Sequence, residues 1–232
     1  MDRGAFLRTM RILSARHPQE NWATGMTPFE ILVSTVLSQS TTVSNERRGM
    51  EGLVRAFGMV RPEVLAQAPT LEIERAIWHA GLSHRKAGRI RAIAKAIVRD
   101  SGGNLDGVLS QPPDVARRTL MGLPGVGPKT ADVVLAMAGG HPRFPVDTHV
   151  ARIARRWDLA PTGGYEATRK ALEAWTSPGS RRAWHLAMIA HGRELCRARK
   201  PLCDACPVAR DCDWHRSTKH RKRDKGLRRP KS

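Results

Sequence analysis

"QPPDVARRTLMGLPGVGPKTADVVLAMA", residues 111–138, decides the architecture. It reads as a short helix, the turn "LPGVG" (123–127) and a second helix. Gly127 stands at the cap of that second helix. Pro128 takes its first position, where a missing N–H costs nothing. Gly125 and Gly127 have access to backbone angles that other residues avoid. Having no side chains, they with Val126 between them let an anion approach the backbone. The N–H groups that open the second helix point toward such an anion. The arrangement suits the grip of a phosphate, although an ordinary interhelical turn is written the same way.

The rest of the chain keeps the helical period. "TPFEILVSTVLSQ" (27–39) opens with Thr27, Pro28 and Glu30, a capping box with proline in the first turn. Phe29, Leu32, Val33 and Val36 then recur at helical spacing. "LEIERAIWHAGL" (71–82) places Ile73, Ile77 and Trp78 on one face, with Gly81 as its stop. Ile90, Ile93, Ile97 and Val98 repeat in the next segment. Val150, Ile153, Ala154 and Trp157 do so in "THVARIARRWDL" (148–159). No stretch alternates as a strand does and no hairpin signal appears. The predicted class is all-α, with about ten helices at ordinary lengths.

The chain has 232 residues, with 40 Lys and Arg against 21 Asp and Glu, a formal charge of +19. Such a balance points to a polyanionic partner, nucleic acid first. Residues 216–232 hold nine Lys and Arg against one Asp. That composition predicts a disordered basic tail, either resting on phosphates or solvated without a partner. No apolar run approaches the ~20 residues that span a bilayer. The opening "MDRGAFLRTMRILSARHPQE" (1–20) lacks the apolar core of a signal peptide. A cytoplasmic, nucleoid-associated protein with no membrane partner is expected.

All four cysteines fall late: Cys196, Cys203, Cys206 and Cys212, spaced C-x6-C-x2-C-x5-C. Clustered cysteines in a reducing compartment argue for a metal site over disulfides. Four thiolates hold either a tetrahedral zinc or a [4Fe–4S] cluster. Only Cys203 and Cys206 form the tight pair usual in structural zinc sites.

These motifs together carry a likeness. "LPGVGPKTA" (123–131), then Asp147 in "VDTHV" eighteen residues beyond Lys129, then "HGRELC" (191–196) and three more cysteines resemble the helix–hairpin–helix DNA glycosylases. Lys129 narrows the likeness to the endonuclease III branch, over roughly residues 5–213. The resemblance implies a [4Fe–4S] cluster on the four cysteines. It implies two all-α lobes with a cleft: residues 23–138 with the hairpin, and residues 1–22 plus 139–215 with the cluster. Lys129 and Asp147 are expected to face each other across that cleft.

The resemblance also implies roles. Lys129 would be the nucleophile that forms a Schiff base, since only an amine gives the iminium needed for β-elimination. Asp147 would deprotonate it or stabilise the oxocarbenium-like transition state; by itself it reads as a helix N-cap. His149 reads as structural or as a backbone contact. Leu82, in "AGLSHRKA", would enter the base stack in place of the extruded nucleotide; otherwise it is a helix-end core residue. Arg85 and Lys86 would meet phosphate.

The family's second filling loop is "LSQSTTVSN" (37–45) here. Ser40 and Val43 stand where the family carries longer or acidic polar residues, so Gln39 becomes the candidate for the missing reach. The expected activity is a bifunctional glycosylase and AP lyase on oxidised pyrimidines in double-stranded DNA, acting as a monomer. A monofunctional glycosylase of other specificity, or a DNA-binding protein with little catalysis, would share most of these features. Lys129 disfavours the first, and the Lys129/Asp147 pair the second.

Overall fold

The computed structural model describes residues 1–18, 22–160 and 163–217. Most of the predicted basic tail, residues 218–232, lies outside the described residues. Among these residues there are twelve named α-helices, a further helical stretch at 213–217, and no strand. They are α1 (Arg3–Arg16), α2 (Pro28–Leu37), α3 (Val43–Phe57), α4 (Pro62–Gln67), α5 (Thr70–Ala76) and α6 (Ser83–Ser101). Then come α7 (Asp106–Leu109), α8 (Pro113–Met121), α9 (Pro128–Met137), α10 (Thr148–Arg156), α11 (Tyr165–Trp175) and α12 (Arg181–Glu194). Helices such as α4 and α7 are too short to display a full hydrophobic period, which is why the sequence suggests fewer.

The chain divides into two compact units, Asn21–His141 and Met1–Glu20 with Pro142–Ser232. In the first unit, α2 packs on α9, α4 and α5 pack on α6, and α3 packs on α5. The predicted capping box starts α2: Glu30 N–H donates to Thr27 Oγ1 at 3.2 Å, and Thr27 N–H donates to Glu30 Oε2 at 2.7 Å. Every residue of α2 from Ile31 to Leu37 and of α9 from Thr130 to Met137 is buried. Helices apolar on all sides belong in a core, and these two form the centre of the unit.

Trp78 departs from the predicted face. Ile73 and Ile77 are fully buried, but Trp78 is 70% exposed. Helix α5 ends at Ala76, and residues Trp78–Ala80 form a 3-10 turn. The tighter winding rotates Trp78 away from the face that the 3.6-residue period assigns to it.

In the second unit, α1 packs on α12, and α10 packs on α11 and α12. Phe6 of α1 meets three tryptophan rings edge-on: Trp157 at 6.2 Å, Trp175 at 5.5 Å and Trp184 at 5.9 Å between centroids. Burial of such a ring stabilises by several kcal/mol; Phe-to-Ala losses in cores run about 3–5 kcal/mol. Val150, Ile153, Ala154 and Trp157 all face inward as their spacing predicts.

Candidate active site and cluster segment

The hairpin joins α8 to α9. Val126 N–H donates to Leu123 O at 3.1 Å and closes the turn, while the Val126 side chain is buried. The turn therefore offers an anion the N–H groups of Gly125 and Gly127 rather than that of Val126. Only Gly125 uses the special conformational freedom of glycine, with φ +70°. A side chain there would also meet Arg89, whose Nε lies 2.6 Å from the ideal Cβ position. Gly127 is an extended N-cap (φ −93°, ψ 178°), a conformation open to any residue. What Gly127 supplies is open approach, with nothing within 4 Å of an added Cβ.

Lys129 follows Pro128 in the first turn of α9 and is half-buried. A cation at a helix N-terminus is disfavoured by the macrodipole. The neutral amine is the form that acts as a nucleophile.

The two helices of the hairpin are clamped from below. Arg117 of α8 donates from Nε to Asp132 Oδ1 at 2.8 Å and from Nη2 to Oδ2 at 3.2 Å. Asp132 is fully buried in the middle of apolar α9. Sequence reading missed this pair. Its signal was a carboxylate inside an otherwise apolar helix.

The two loops expected to fill the DNA stack are both strained. Ser40 (φ 55°) and Leu82 (φ 51°) are non-glycine residues with left-handed backbone. Leu82 precedes α6 and is 55% exposed, so it is not the core residue that its position after a glycine allows. Strain of this sort persists where the surrounding structure imposes it, and it concentrates at functional loops. Gln39 is engaged: its Oε1 accepts from Arg89 Nη1 at 2.7 Å. Arg89 thus bonds Gln39 and also lies close beside the hairpin turn at Gly125. Val43 is half-exposed in the first turn of α3, behind the N-cap Thr42.

Arg85 is exposed and free to meet phosphate, but Lys86 is not. Its side chain is buried, and Nζ donates to Leu37 O at 2.7 Å and Ala80 O at 2.8 Å. These are carbonyls at the ends of α2 and of the 78–80 turn, which have no partner within their own elements. Burial, with Arg89 nearby, pushes the Lys86 pKa down. Lys86 is a structural cap and not a DNA contact.

In the second unit Asp147 is the N-cap of α10, with Oδ1 accepting from Val150 N–H at 2.8 Å. It remains half-buried, with its second oxygen available for other work. His149 is structural, its Nδ1 lying 3.0 Å from Arg152 Nη2. Arg152 also donates to Gly192 O and Cys196 O, each at 2.9 Å.

Cys196, Cys203, Cys206 and Cys212 line one recess, walled by Trp157, Leu195, Leu202 and Val208. Among the described residues no three His, Cys, Asp or Glu side chains group tightly enough for a single metal ion. Four thiols lining one recess are the donor set of a cysteine-held iron–sulfur cluster. Burial first, then the three other cysteine sulfurs, push the Cys206 thiol up to about 11. A cationic iron centre would reverse that penalty, because metal coordination deprotonates a thiol. Arg156 lines the recess. Its Nη1 donates to Cys196 Sγ at 3.0 Å and to Arg197 O at 2.9 Å. Its guanidinium also lies 5.3 Å from the Trp214 ring centroid. The signal for Arg152 and Arg156 in the sequence was their i, i+4 spacing on α10.

Comparison with known proteins agrees with this geometry. Residues 33–178 match the HhH-GPD superfamily of base excision DNA repair proteins, and residues 196–212 match the iron-sulfur binding domain of endonuclease III. Endonuclease III of Thermotoga maritima is 33% identical over 189 residues, covering 82% of this chain and 84% of that protein. Endonuclease III of Bacillus subtilis is 33% identical over 186 residues, covering 80% of each. A solved trapped endonuclease III–DNA covalent intermediate superimposes with a TM-score of 0.83 at 27% identity, covering 94% of this chain and 99% of that one.

A helical protein with this hairpin and cysteine segment is a helix–hairpin–helix base-excision repair protein. Within that class the chain belongs to the endonuclease III family, and so it is a DNA glycosylase and AP lyase with a [4Fe–4S] cluster. No helix among the described residues is long and apolar enough to cross a membrane.

Proposed function

We propose that the chain removes oxidised pyrimidines of the thymine glycol type from double-stranded DNA and then cuts the strand, through a Schiff base on Lys129. The observation that carries this reading is the placement of Lys129 directly behind the phosphate-gripping turn, in the first turn of α9. Its neutral amine attacks C1′ of the extruded nucleotide, the N-glycosidic bond breaks, and the base leaves with a proton. The C1′–O4′ bond of the sugar then opens, O4′ takes a proton from the nitrogen, and the iminium so formed acidifies the C2′ hydrogen. Loss of that proton expels the 3′ phosphate, and water then releases the lysine.

In this reading the Asp147 carboxylate accepts the proton from the lysine ammonium or faces the positive charge developing at the sugar. Its cap bond to Val150 fixes its orientation. Leu82 fills the vacated stack, and Gly125 and Gly127 hold a phosphate through their N–H groups. The short Ser40 side chain leaves more of that filling to Leu82. Cys196, Cys203, Cys206 and Cys212 would ligate the cluster, which holds the basic 197–202 loop in one shape. The protein would act as a monomer.

The test is single-turnover product analysis on duplexes carrying thymine glycol or an abasic site. Both should yield a strand cut 3′ to the lesion and ending in an unsaturated aldehyde. Release of a base with the strand left intact would instead mark a monofunctional glycosylase. Cleavage of the abasic duplex alone would overturn the assignment of the base.

A further inference from the structure

The turn that presents Leu82 presents a second apolar side chain. Gly81 N–H donates to Trp78 O at 3.4 Å, so Trp78 and Leu82 are set on one turn. Between them Ala80 is fully buried, while Trp78 is 70% and Leu82 55% exposed. Trp78 is the more exposed of the two, and a bare indole face is costly to leave in water.

Beside this turn lies a recess lined by Arg48 and Arg55 of α3 and by Arg75 and His79 from α5 and the turn. On α3 the lining positions 48, 52 and 55 recur at i, i+4 and i+7, which is one helix face. Glu72, Arg75 and Ala76 of α5, with His79 of the turn, line the other side. The two faces are held close by Gly52, where an added Cβ would lie 2.0 Å from Ala76 O. Arg48 Nη2 lies 3.0 Å from His79 Nε2, a contact that spans the recess. The recess also contains Glu51 and Glu72, but among the described residues none of the three guanidiniums is ion-paired with a carboxylate. An aromatic platform next to a groove whose arginines are not ion-paired with carboxylates is the pattern that holds nucleic acid strands.

We propose that this surface is a second DNA-contact site, continuous with the Leu82 loop. A backbone phosphate sits against Arg48, Arg55 and Arg75, and Trp78 packs on an adjoining sugar or base. The site lengthens the DNA footprint past the lesion and steadies the strand beside the Leu82 wedge. The inference rests on the reading of Leu82 as a DNA contact.

The experiment is a titration of the cluster-loaded protein with a duplex holding a tetrahydrofuran abasic analogue, at several salt concentrations. Wild type is compared with Trp78→Ala, Trp78→Phe, the double variant Arg48→Gln/Arg75→Gln, and Leu82→Ala. Trp78→Ala should weaken binding roughly 5- to 30-fold and Trp78→Phe much less, as base–aromatic stacking requires. The double variant should flatten the plot of log affinity against log salt by about 0.9 for each phosphate lost. All replaced side chains are exposed, and a thermal melt verifies folding; should the double variant melt early, Arg55→Gln takes its place. Wild-type affinity and salt slope in the Trp78 and arginine variants, with binding weakened in Leu82→Ala, would overturn this inference and leave the proposed function standing. Wild-type binding in Leu82→Ala as well would remove the wedge reading on which the inference rests.

Discussion

Asp132, buried in apolar α9, is held by both nitrogens of a fork from Arg117 at 2.8 and 3.2 Å. This pair ties together the two helices on either side of the 123–127 turn. Loss of one member of a buried ion pair costs about 3–5 kcal/mol. Arg117→Ala should therefore lower stability by that order in urea unfolding. Arg117→Ala with wild-type stability would show that the clamp is dispensable.

Gly125 should tolerate no side chain. Its φ of +70° and the nearness of Arg89 both oppose a Cβ. Gly125→Ala should cost about 1–2 kcal/mol in backbone strain alone. DNA affinity should fall further than stability, because Arg89 and its partner Gln39 must shift as well. Gly127→Ala, in extended backbone and open space, should keep wild-type stability and lose DNA affinity only. Equal stability losses in the two variants would contradict this distinction.

Asp147 has two jobs that substitution separates. Asparagine can still accept from Val150 N–H but carries no charge, while alanine does neither. Asp147→Asn should keep its melting temperature and lose orders of magnitude in base excision. Asp147→Ala should lose the same activity and a further ~1 kcal/mol of stability. Near-wild-type excision by the asparagine variant would remove Asp147 from the chemistry.

Glu46 gives a pH dependence of unusual sign for a carboxylate. Burial pushes its pKa above the ordinary 4.5, against the Ser34 hydroxyl that donates to it at 2.7 Å and the charge of Arg47. Between 4.5 and the raised value the folded state binds more protons than the unfolded state, so this group's contribution to stability falls as pH rises through that window. Glu46→Gln keeps the acceptor for Ser34 without the charge. The variant should match wild type below the unfolded-state pKa and exceed it at neutral pH. Urea unfolding at about pH 4 and about pH 7.5 decides the matter; a stability difference independent of pH would contradict it.

Local chemistry was legible in the sequence, and contacts between distant segments were not. The Thr27/Glu30 box, the Asp147 cap, the hairpin and the four cysteines each depend on residues near one another in the chain. Lys86 reads as a surface cation because nothing local reveals that the carbonyl ends of two other elements converge on it. Trp78 reads as core because the helical period runs through Ile77, and the end of α5 at Ala76 breaks that period. Arg117 and Asp132 lie fifteen positions apart, and Arg156 reaches Cys196 across forty. Pairs of that kind follow from how helices pack, which a single period does not encode.

The measurement closest to the central claim is borohydride trapping on duplexes with thymine glycol or an abasic site, beside Lys129→Gln. A borohydride-stable protein–DNA adduct on both duplexes, absent in the variant, is the predicted result. An adduct that persists in Lys129→Gln, or none on either duplex while DNA binding is intact, would contradict the assignment of Lys129 as the Schiff-base nucleophile.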